Sequence, residues 1–592
     1  MLIITEKPSV ARKISSFLSN NRYRIIKFSK NIYYYYFNLE GKNIYVVPAI
    51  GHLFTLSDLD KKYDYPTFNY RWVPSYFEDG IIAKKYYIEM FSKFKNENDI
   101  IIATDYDIEG ELIGYNILRY ILNKENASRM IFSAITYKDI VRAFNNRKES
   151  LNFGYIFAGE TRHIIDWLYG INLSRALTRS LFYYTRKFVL SIGRVQGPTL
   201  MLIFNRENEI KNFKPEEYYK VEALVIKGDK KLKFSYIKDK IKDKDEANKV
   251  KNNLGKYLIV SNVDKKEEKI SPPHPYNLTD IQMDAYKYYK ISPKRTLDIL
   301  QSLYEKGYIS YPRTSSQKLP ETINFREILA NLSLINSYKK YIILLLEKQI
   351  LKPNNGSKDD VHPAIHPTGN IPEYLEYKEK LIYDLIVKRF IATFYDPAIV
   401  YKINVITKEN FIYNYYDIKY KGWLDIYWEI YKDNFVSLKF SIGEKLLIDK
   451  VNILKRKTKP PARYNRASLV KKMEELNLGT KSTRADIVEI LFRRKYVEGR
   501  SIKITELGKK IVEIFEKYYP DILDINFTRK MEENLEKLEN KPDISLKEKI
   551  IEENVEIIKN LSKVMKENER KIGEELYNFI KDYLNKKKIK NN

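Results

Sequence analysis

Short apolar runs alternate with amphipathic stretches over the first 150 positions. LIIT (Leu2–Thr5), NIYVVPAI (Asn43–Ile50), DIIIAT (Asp99–Thr104) and RMIFSAI (Arg129–Ile135) read as buried strands. Between them, KPSVARKISSFLS and EGELIGYNILRYIL carry apolar residues at helical spacing, the second at 112, 113, 117, 118, 121 and 122. TYKDIVRAFN follows as a helix. This alternation predicts a doubly wound α/β domain over residues 1–150. Residues 151–215 have a helical pattern, broken at SIGRVQGPTL (Ser191–Leu200), and 216–270 turn to strand-like alternation. The proline-rich SPPHPYN (Ser271–Asn277) opens a helical stretch, 271–394, that includes a polar loop, PNNGSKDD (353–360). Residues 395–458 are again strand-like. KPPARYN (Lys459–Asn465) begins helices over 459–545, and 546–592 form a helical basic tail whose last residues, NKKKIKNN, are expected to fray.

The chain has 592 residues, too many for one core, and Lys+Arg number 105 against Asp+Glu 77, a net charge of +28. That excess argues against an ordinary small-molecule enzyme and for a polyanionic partner. No apolar run approaches the roughly 18–20 residues of a membrane span; the longest, YIILLLEKQIL (Tyr341–Leu351), is broken by Glu347. Neither a membrane partner nor a signal peptide is expected, and an intracellular, cytoplasmic protein is the simplest reading. With no cysteine, thiolate zinc sites are excluded. The 50 tyrosines, many beside Lys or Arg, suit stacking on unpaired bases. A Lys-, Ile-, Tyr- and Asn-rich composition is also what an AT-rich genome encodes, and that accounts for most of them. There is no P-loop pattern, so ATP-driven chemistry is not expected.

ATDYDIEGE places Asp105, Asp107, Glu109 and Glu111 directly after a buried strand. In extended backbone, positions 105, 107 and 109 share a face. Glu6 sits just past LIIT, so adjacent strands would bring these five carboxylates to one crevice at the strand ends. Carboxylates that close repel unless protons or a cation intervene, and hard oxygen ligands without nearby His or Cys suit Mg²⁺. A solvated acidic loop capping the next helix is the competing reading.

A glutamate after a first strand and D-x-D after a later one resemble the TOPRIM domain. KRTLDILQSLYEKGYISYPRTSS (Lys294–Ser316) resembles the active-site stretch of type IA DNA topoisomerases, with Tyr311 at the nucleophile position and Arg313 beyond it. GHL (Gly51–Leu53), TRHIIDWLYGINLSRALT (Thr161–Thr178), SIGRVQGPTL, VHPAIHPTG (Val361–Gly369), Pro460–Val497 and Phe527–Glu539 match further family blocks in the family's order. Independently of the resemblance, Pro312 biases Tyr311 toward extended backbone, which sets Arg313 on the same side. A guanidinium there can stabilise a developing phenolate and clamp a phosphate.

The resemblance implies a TOPRIM doubly wound α/β domain followed by the toroidal type IA core: a helical base (151–215), a strand-rich hinge in two parts (216–270 and 395–458), a helical domain carrying the tyrosine (271–394) and a C-terminal helical core (459–545). It implies an ATP-independent topoisomerase that cleaves one strand through a 5′-phosphotyrosyl intermediate, passes a strand and reseals, relaxing negatively supercoiled DNA. Tyr311, Arg313, Glu6, Lys7 and His362 are the implied catalytic set; Glu6, Asp105, Asp107 and Glu109 the implied Mg²⁺ ligands. His52, Arg162, His163, Asp166, Ser191, Gly193, Arg194, Gln196, Thr483 and Arg494 fall at implied DNA-binding positions, while His366 reads as structural or phosphate-contacting. Tyr106 and Ile108 replace a proline and an arginine common in the family, which resembles an archaeal, topoisomerase III-like variant, with Lys7 taking over the missing cation. Single-stranded and negatively supercoiled DNA are the expected partners of a monomer, with a helicase partner left open. Two alternatives remain at this level: the topoisomerase half of a split reverse gyrase, and a TOPRIM nuclease. A non-catalytic basic DNA-binding protein also stays open; it would bind with a steep salt slope yet leave linking number unchanged.

Overall fold

The computed structural model describes residues 1–60, 63–357 and 361–591, with side chains of the last helix described as far as 581. Three residues of the expected polar loop, 358–360, lie outside the described residues, as does 592 at the end of the basic tail. The final helix runs to Asn591, through most of the segment expected to fray.

β1 (Leu2–Thr5), β2 (Arg24–Ser29), β3 (Ile32–Leu39) and β4 (Lys42–Pro48) open the chain. β5 (Phe54–Asp58) and β6 (Tyr70–Pro74) pair as a hairpin, and β7 (Ile100–Ile102) and β8 (Ser128–Arg129) complete the first sheet, ordered β2-β3-β4-β1-β7-β8. β1 lies parallel between β4 and β7, with Ile4 opposite both Val47 and Ile102. The run LIIT is apolar throughout because both of its faces are covered. Leu2 and Ile4 enter one core with Ile113 and Phe91; Ile3 enters another with Val46 and Ile101.

Of the stretch expected as strand, RMIFSAI, only Arg129 lies in one, as the end of β8. Beyond Met130 its backbone leaves the sheet, and the Ser133 carbonyl accepts the Tyr311 N–H at 2.7 Å. β2 and β3 were not anticipated. The tyrosine run of β3 hides its alternation, since amphipathic rings occupy both faces.

Residues of the two strand-rich stretches close into one barrel. β9 (Glu217–Lys227), β10 (Lys230–Tyr236), β11 (Tyr257–Ile270), β12 (Ala398–Thr407), β13 (Phe411–Tyr420) and β14 (Lys445–Lys457) follow the order β10-β13-β12-β11-β14-β9. Alternate residues such as Val221, Ala223, Val225, Phe234 and Val405 fill it.

Between the barrel's two halves in sequence lie helices Leu278–Tyr289, Pro293–Glu305, Phe325–Leu332, Asn336–Leu346 and Tyr377–Ala392. Their core, with Leu300, Leu303 and Tyr311, is continuous with the Ile3, Ile101 and Ile135 face of the first sheet. The approach is close at Gly307, which has φ +75°; a Cβ there would stand 2.5 Å from the Ile135 carbonyl oxygen. The 30-residue helix Phe153–Phe182 packs with the C-terminal helices around Leu168, Leu173, Leu538 and Leu561. Among the described residues no helix is long and apolar enough to cross a membrane.

Candidate active site and nucleic-acid groove

Glu6 and Asp105 leave neighbouring parallel strands at their carboxyl ends and are 8% and 4% exposed. Burial, then repulsion from Asp105 and Asp107, pushes the Glu6 carboxyl up. Burial and Asp107 do the same to Asp105, while Arg313 and Lys7 oppose the rise in both. Lys7 ion-pairs with Glu305, whose other oxygen accepts from Ser9 at 3.0 Å. Gln301, Tyr304 and Glu305 share one face of helix Pro293–Glu305. Gln301 Nε2 reaches Asp105 Oδ2 at 3.4 Å.

The extended run expected from 105 to 109 stops at Asp107. That residue caps helix Ile108–Ile117, its Oδ1 accepting the Gly110 N–H at 2.7 Å. Gly110 lets the helix start so close to the strand end, since a Cβ there would lie 2.1 Å from the Asp105 carbonyl oxygen. The turn into helix gives the remaining acids other partners. Glu109 Oε2 meets His52 Nε2 at 2.8 Å and His163 Nε2 at 2.9 Å. Although burial opposes it, these contacts hold the Glu109 carboxyl well below the usual range. Glu111 is fully buried, accepting from Arg129 Nε at 2.6 Å and Asn152 N–H at 2.7 Å. Of the five carboxylates, Glu111 is turned away from the crevice, whereas Glu109 lines the cleft beside Asp107, Arg313 and His362 while its oxygen faces the two histidines.

Tyr311 is 1% exposed, and its hydroxyl donates to the second oxygen of Asp107. Burial, then Asp107, raises its pKa well above that of a free phenol, with Arg313 pulling the other way. Arg313 approaches the same Asp107 oxygen at 3.5 Å, and its buried Nε has no hydrogen-bond partner among the described residues. The His362 ring lies 4.4 Å from that of Tyr311. His362 Nε2 faces the Tyr106 carbonyl at 2.9 Å, which places a proton on Nε2; Nδ1 then accepts from Ser133 Oγ in the neutral ring. His366 is buried, its Nδ1 facing the Pro367 carbonyl at 2.9 Å, and burial lowers its pKa. It supports the tyrosine loop, since its carbonyl accepts the Ser310 N–H.

Arg162, Asp166, Gly193, Arg194, Gln196, Thr483 and Arg494 line one cleft of about 430 Å³. Arg162 also lines a smaller cleft with Asp107, Arg313 and His362, the residues around the tyrosine. The Ser191 carbonyl is held by Arg494 at 2.9 Å. Arg194, at one of the implied DNA-binding positions, is 2% exposed and paired with Asp166 at 2.9 Å and Glu532 at 2.8 Å. Glu532 also meets Arg162 at 3.4 Å. His52 and His163 stand apart from this cleft, around Glu109.

Arg129 was missed. It is 1% exposed and donates to the carbonyls of Ile102, Thr104, Asp105 and Met130 as well as to Glu111. It gathers the carbonyl end of β7, where Asp105 emerges. A lone arginine opening an apolar strand was the available signal. Gln301, Tyr304 and Glu305 were visible as a helical face ending just before YISYPRT.

The DNA topoisomerase family pattern matches residues 150–543, and the Toprim domain pattern, that of a metal-binding domain, matches residues 1–135. "DNA topoisomerase 1" of Pyrococcus horikoshii is 44% identical over 98% of this chain and 86% of its own length. The protein of the same name from Methanocaldococcus jannaschii is 40% identical over 97% of this chain and 75% of its own length. The structure of full-length topoisomerase I from Thermotoga maritima superposes with a TM-score of 0.74 at 25% identity, covering 95% of this chain and 90% of that one. The buried tyrosine beside a carboxylate crevice, on a fold and sequence shared this widely, belongs to a chain that is a member of the type IA DNA topoisomerases.

Proposed function

We propose that Tyr311 opens single-stranded segments of negatively supercoiled DNA, and that Asp107 takes its proton. The observation that carries this reading is the Tyr311 hydroxyl donating to Asp107, with Arg313 on the same oxygen and His362 against the ring. The phenol is too weak an acid to ionise unaided in so buried a place. A carboxylate at hydrogen-bond distance supplies the base, and Arg313 offsets the charge that develops. The Tyr311 oxygen attacks phosphorus, the bond from phosphorus to the 3′ oxygen breaks, and that oxygen takes a proton from Glu6. Burial of the Glu6 carboxyl beside Asp105 favours its holding that proton. Resealing runs the same steps in reverse, and the ester conserves the bond energy, so no ATP is consumed.

Glu6 and Asp105 would hold Mg²⁺: buried, all-oxygen and mutually repelling carboxylates fit a hard cation. Bound there, the ion supplies positive charge that fixes the phosphates of the broken strand. Arg162, Gln196, Thr483 and Arg494 would lead that strand along the groove. Because Tyr311 is buried against Ser133, the tyrosine-bearing helices must part from the first sheet before a strand enters or leaves. The enzyme is read as acting as a monomer.

The test is relaxation of negatively supercoiled plasmid with and without Mg²⁺ and ATP, together with binding to single-stranded and duplex oligonucleotides. Mg²⁺-dependent, ATP-indifferent relaxation and tighter single-strand binding that weakens with salt are expected. Positive supercoiling that needs ATP and a second protein would favour half of a reverse gyrase. Hydrolytic cleavage without a covalent adduct would favour a Toprim nuclease.

A further inference from the structure

We propose that His52, Glu109 and His163 form a second cation site, for a borderline transition ion of the Zn²⁺ class, separate from the Glu6–Asp105 centre. The chain has only five histidines, and two of them converge on one carboxylate oxygen. The three ligands come from three different elements. His52 follows Gly51 in the loop between β4 and β5, Glu109 lies in the first turn of helix Ile108–Ile117, and His163 lies in helix Phe153–Phe182. Their ligand atoms all lie within 4.8 Å of one another, and the imidazole centroids are 5.0 Å apart.

The geometry is near to what such an ion needs. Metal–ligand bonds of about 2.0–2.2 Å in a tetrahedron set neighbouring ligand atoms about 3.3–3.6 Å apart. The Glu109 oxygen stands 2.8 and 2.9 Å from the two nitrogens. It therefore has to withdraw by well under about 1 Å to admit the ion. In the metal-free protein both contacts require protons on Nε2; one divalent cation replaces both protons and keeps every partner. The donor set decides which cation. Two imidazoles and one carboxylate favour Zn²⁺, Co²⁺ or Ni²⁺ over Mg²⁺, whereas the Glu6–Asp105 centre offers oxygen alone.

The three side chains are 26–29% exposed, so an ion can enter and a fourth position stays open to water or a phosphate oxygen. The Trp72 ring, 5.8 Å from His163, walls one side. A bound ion would tie the loop after β4 to the helix that carries Arg162, and would add positive charge where the groove meets the catalytic cleft.

Co²⁺ serves as the probe, added to the full chain in excess Mg²⁺ so that the oxygen centre does not compete. The site predicts one equivalent of Co²⁺ with the strong visible absorption of a four- or five-coordinate ion, displaced by Zn²⁺. His52→Gln and His163→Gln should each weaken it by at least about 10–100-fold, the loss that removing even an outer hydrogen-bond partner of a ligand brings. Asp105→Asn should leave the Co²⁺ spectrum in place. Far-UV circular dichroism checks that each variant folds. Nitrogen hyperfine splitting from two imidazoles on Cu²⁺ bound to the wild type tests the same ligands without any substitution. No stoichiometric band in the presence of Mg²⁺, a band indifferent to both histidine variants, or a band lost in Asp105→Asn would overturn the site. These readouts do not depend on DNA cleavage, so they stand or fall apart from the topoisomerase mechanism.

Discussion

The Tyr311 hydroxyl sits 2.5 Å from Asp107 Oδ2, while Asp107 Oδ1 caps the helix that follows it. One carboxylate therefore anchors a helix and receives the nucleophile's proton. The two roles separate in Asp107→Asn, because asparagine caps a helix about as well as aspartate but is a poor base. The variant should keep its melting temperature and its affinity for single strands. General-base contributions are typically about 10²–10⁴-fold, and single-turnover cleavage of an end-labelled oligonucleotide should slow by that order. Cleavage within a fewfold of wild type would mean that Asp107 serves only as a cap.

Arg313 shares that oxygen at 3.5 Å, with its side chain 23% exposed. Loss of a transition-state charge contact costs about 2.7–4 kcal/mol, or about 10²–10³ in rate. Arg313→Ala should show that loss in the cleavage step. Arg313→Lys should recover only part of it, since an ammonium cannot reproduce the planar fork. Full recovery in the lysine variant would reduce Arg313 to a simple point charge.

Glu305 latches the tyrosine-bearing helices to the first sheet through Lys7 and Ser9. The pair is partly exposed, so its contribution is about 1 kcal/mol, roughly fivefold in the opening equilibrium. The Tyr311 N–H, bonded to the Ser133 carbonyl across the same interface, reports that opening directly. Hydrogen exchange in peptides covering Tyr311 should accelerate about fivefold in Glu305→Ala, and the wild type should approach the variant as salt screens the pair. Exchange unchanged by the substitution would place the hold elsewhere, in the apolar contacts around Leu303.

Much of this arrangement is legible in the sequence. LIIT and DIIIAT are apolar throughout because β1 and β7 are buried on both faces, and their shared register brings Glu6 to Asp105. Pairing of β1 with β7 is long-range, so adjacency was an inference from strand order and not from spacing. The period-two reading failed at Glu109 because a helix begins at Ile108, and there the chain turns by about 100° per residue. Arg194 was read as a DNA-binding position; its pairing with Glu532, 338 residues away, lies beyond any local pattern. Arg129 looked like the polar start of a strand; only the fold reveals four carbonyls converging on it.

That convergence makes Arg129 a test of the site's scaffolding. Removing one partner of a buried ion pair typically costs about 3–5 kcal/mol, because the other charge stays behind unpaired. Arg129→Ala leaves Glu111 and the end of β7 in that position. A lower denaturation midpoint of this order is expected, with a weakened Mg²⁺ response of whatever folded protein remains. A midpoint within about 1 kcal/mol of wild type would show that water fills the space at little cost.

The assignment of the nucleophile is the sharpest of these tests. Tyr311→Phe removes one oxygen and keeps the ring, which packs 4.4 Å from His362 and 5.3 Å from Tyr304. The lost hydrogen bond to Asp107 should cost no more than about 1–3 kcal/mol, so the variant should fold and bind single-stranded DNA. It should relax nothing, since a phenyl ring has no atom with which to form the ester. In the wild type, denaturant added in mid-reaction should trap protein joined to the 5′ end of the cleaved strand. Tryptic cleavage after Lys306 and Arg313 then isolates residues 307–313, which separates Tyr311 from its buried neighbour Tyr304. Fragmentation of that peptide should place the nucleotide on Tyr311 and not on Tyr308. Tyr304 is the informative competitor: it is fully buried, stands beside the nucleophile, and its hydroxyl faces the Asp105 carboxylate. An adduct on Tyr304 or Tyr308, or relaxation by Tyr311→Phe, would remove Tyr311 from the reaction and with it the roles given to Asp107 and Arg313.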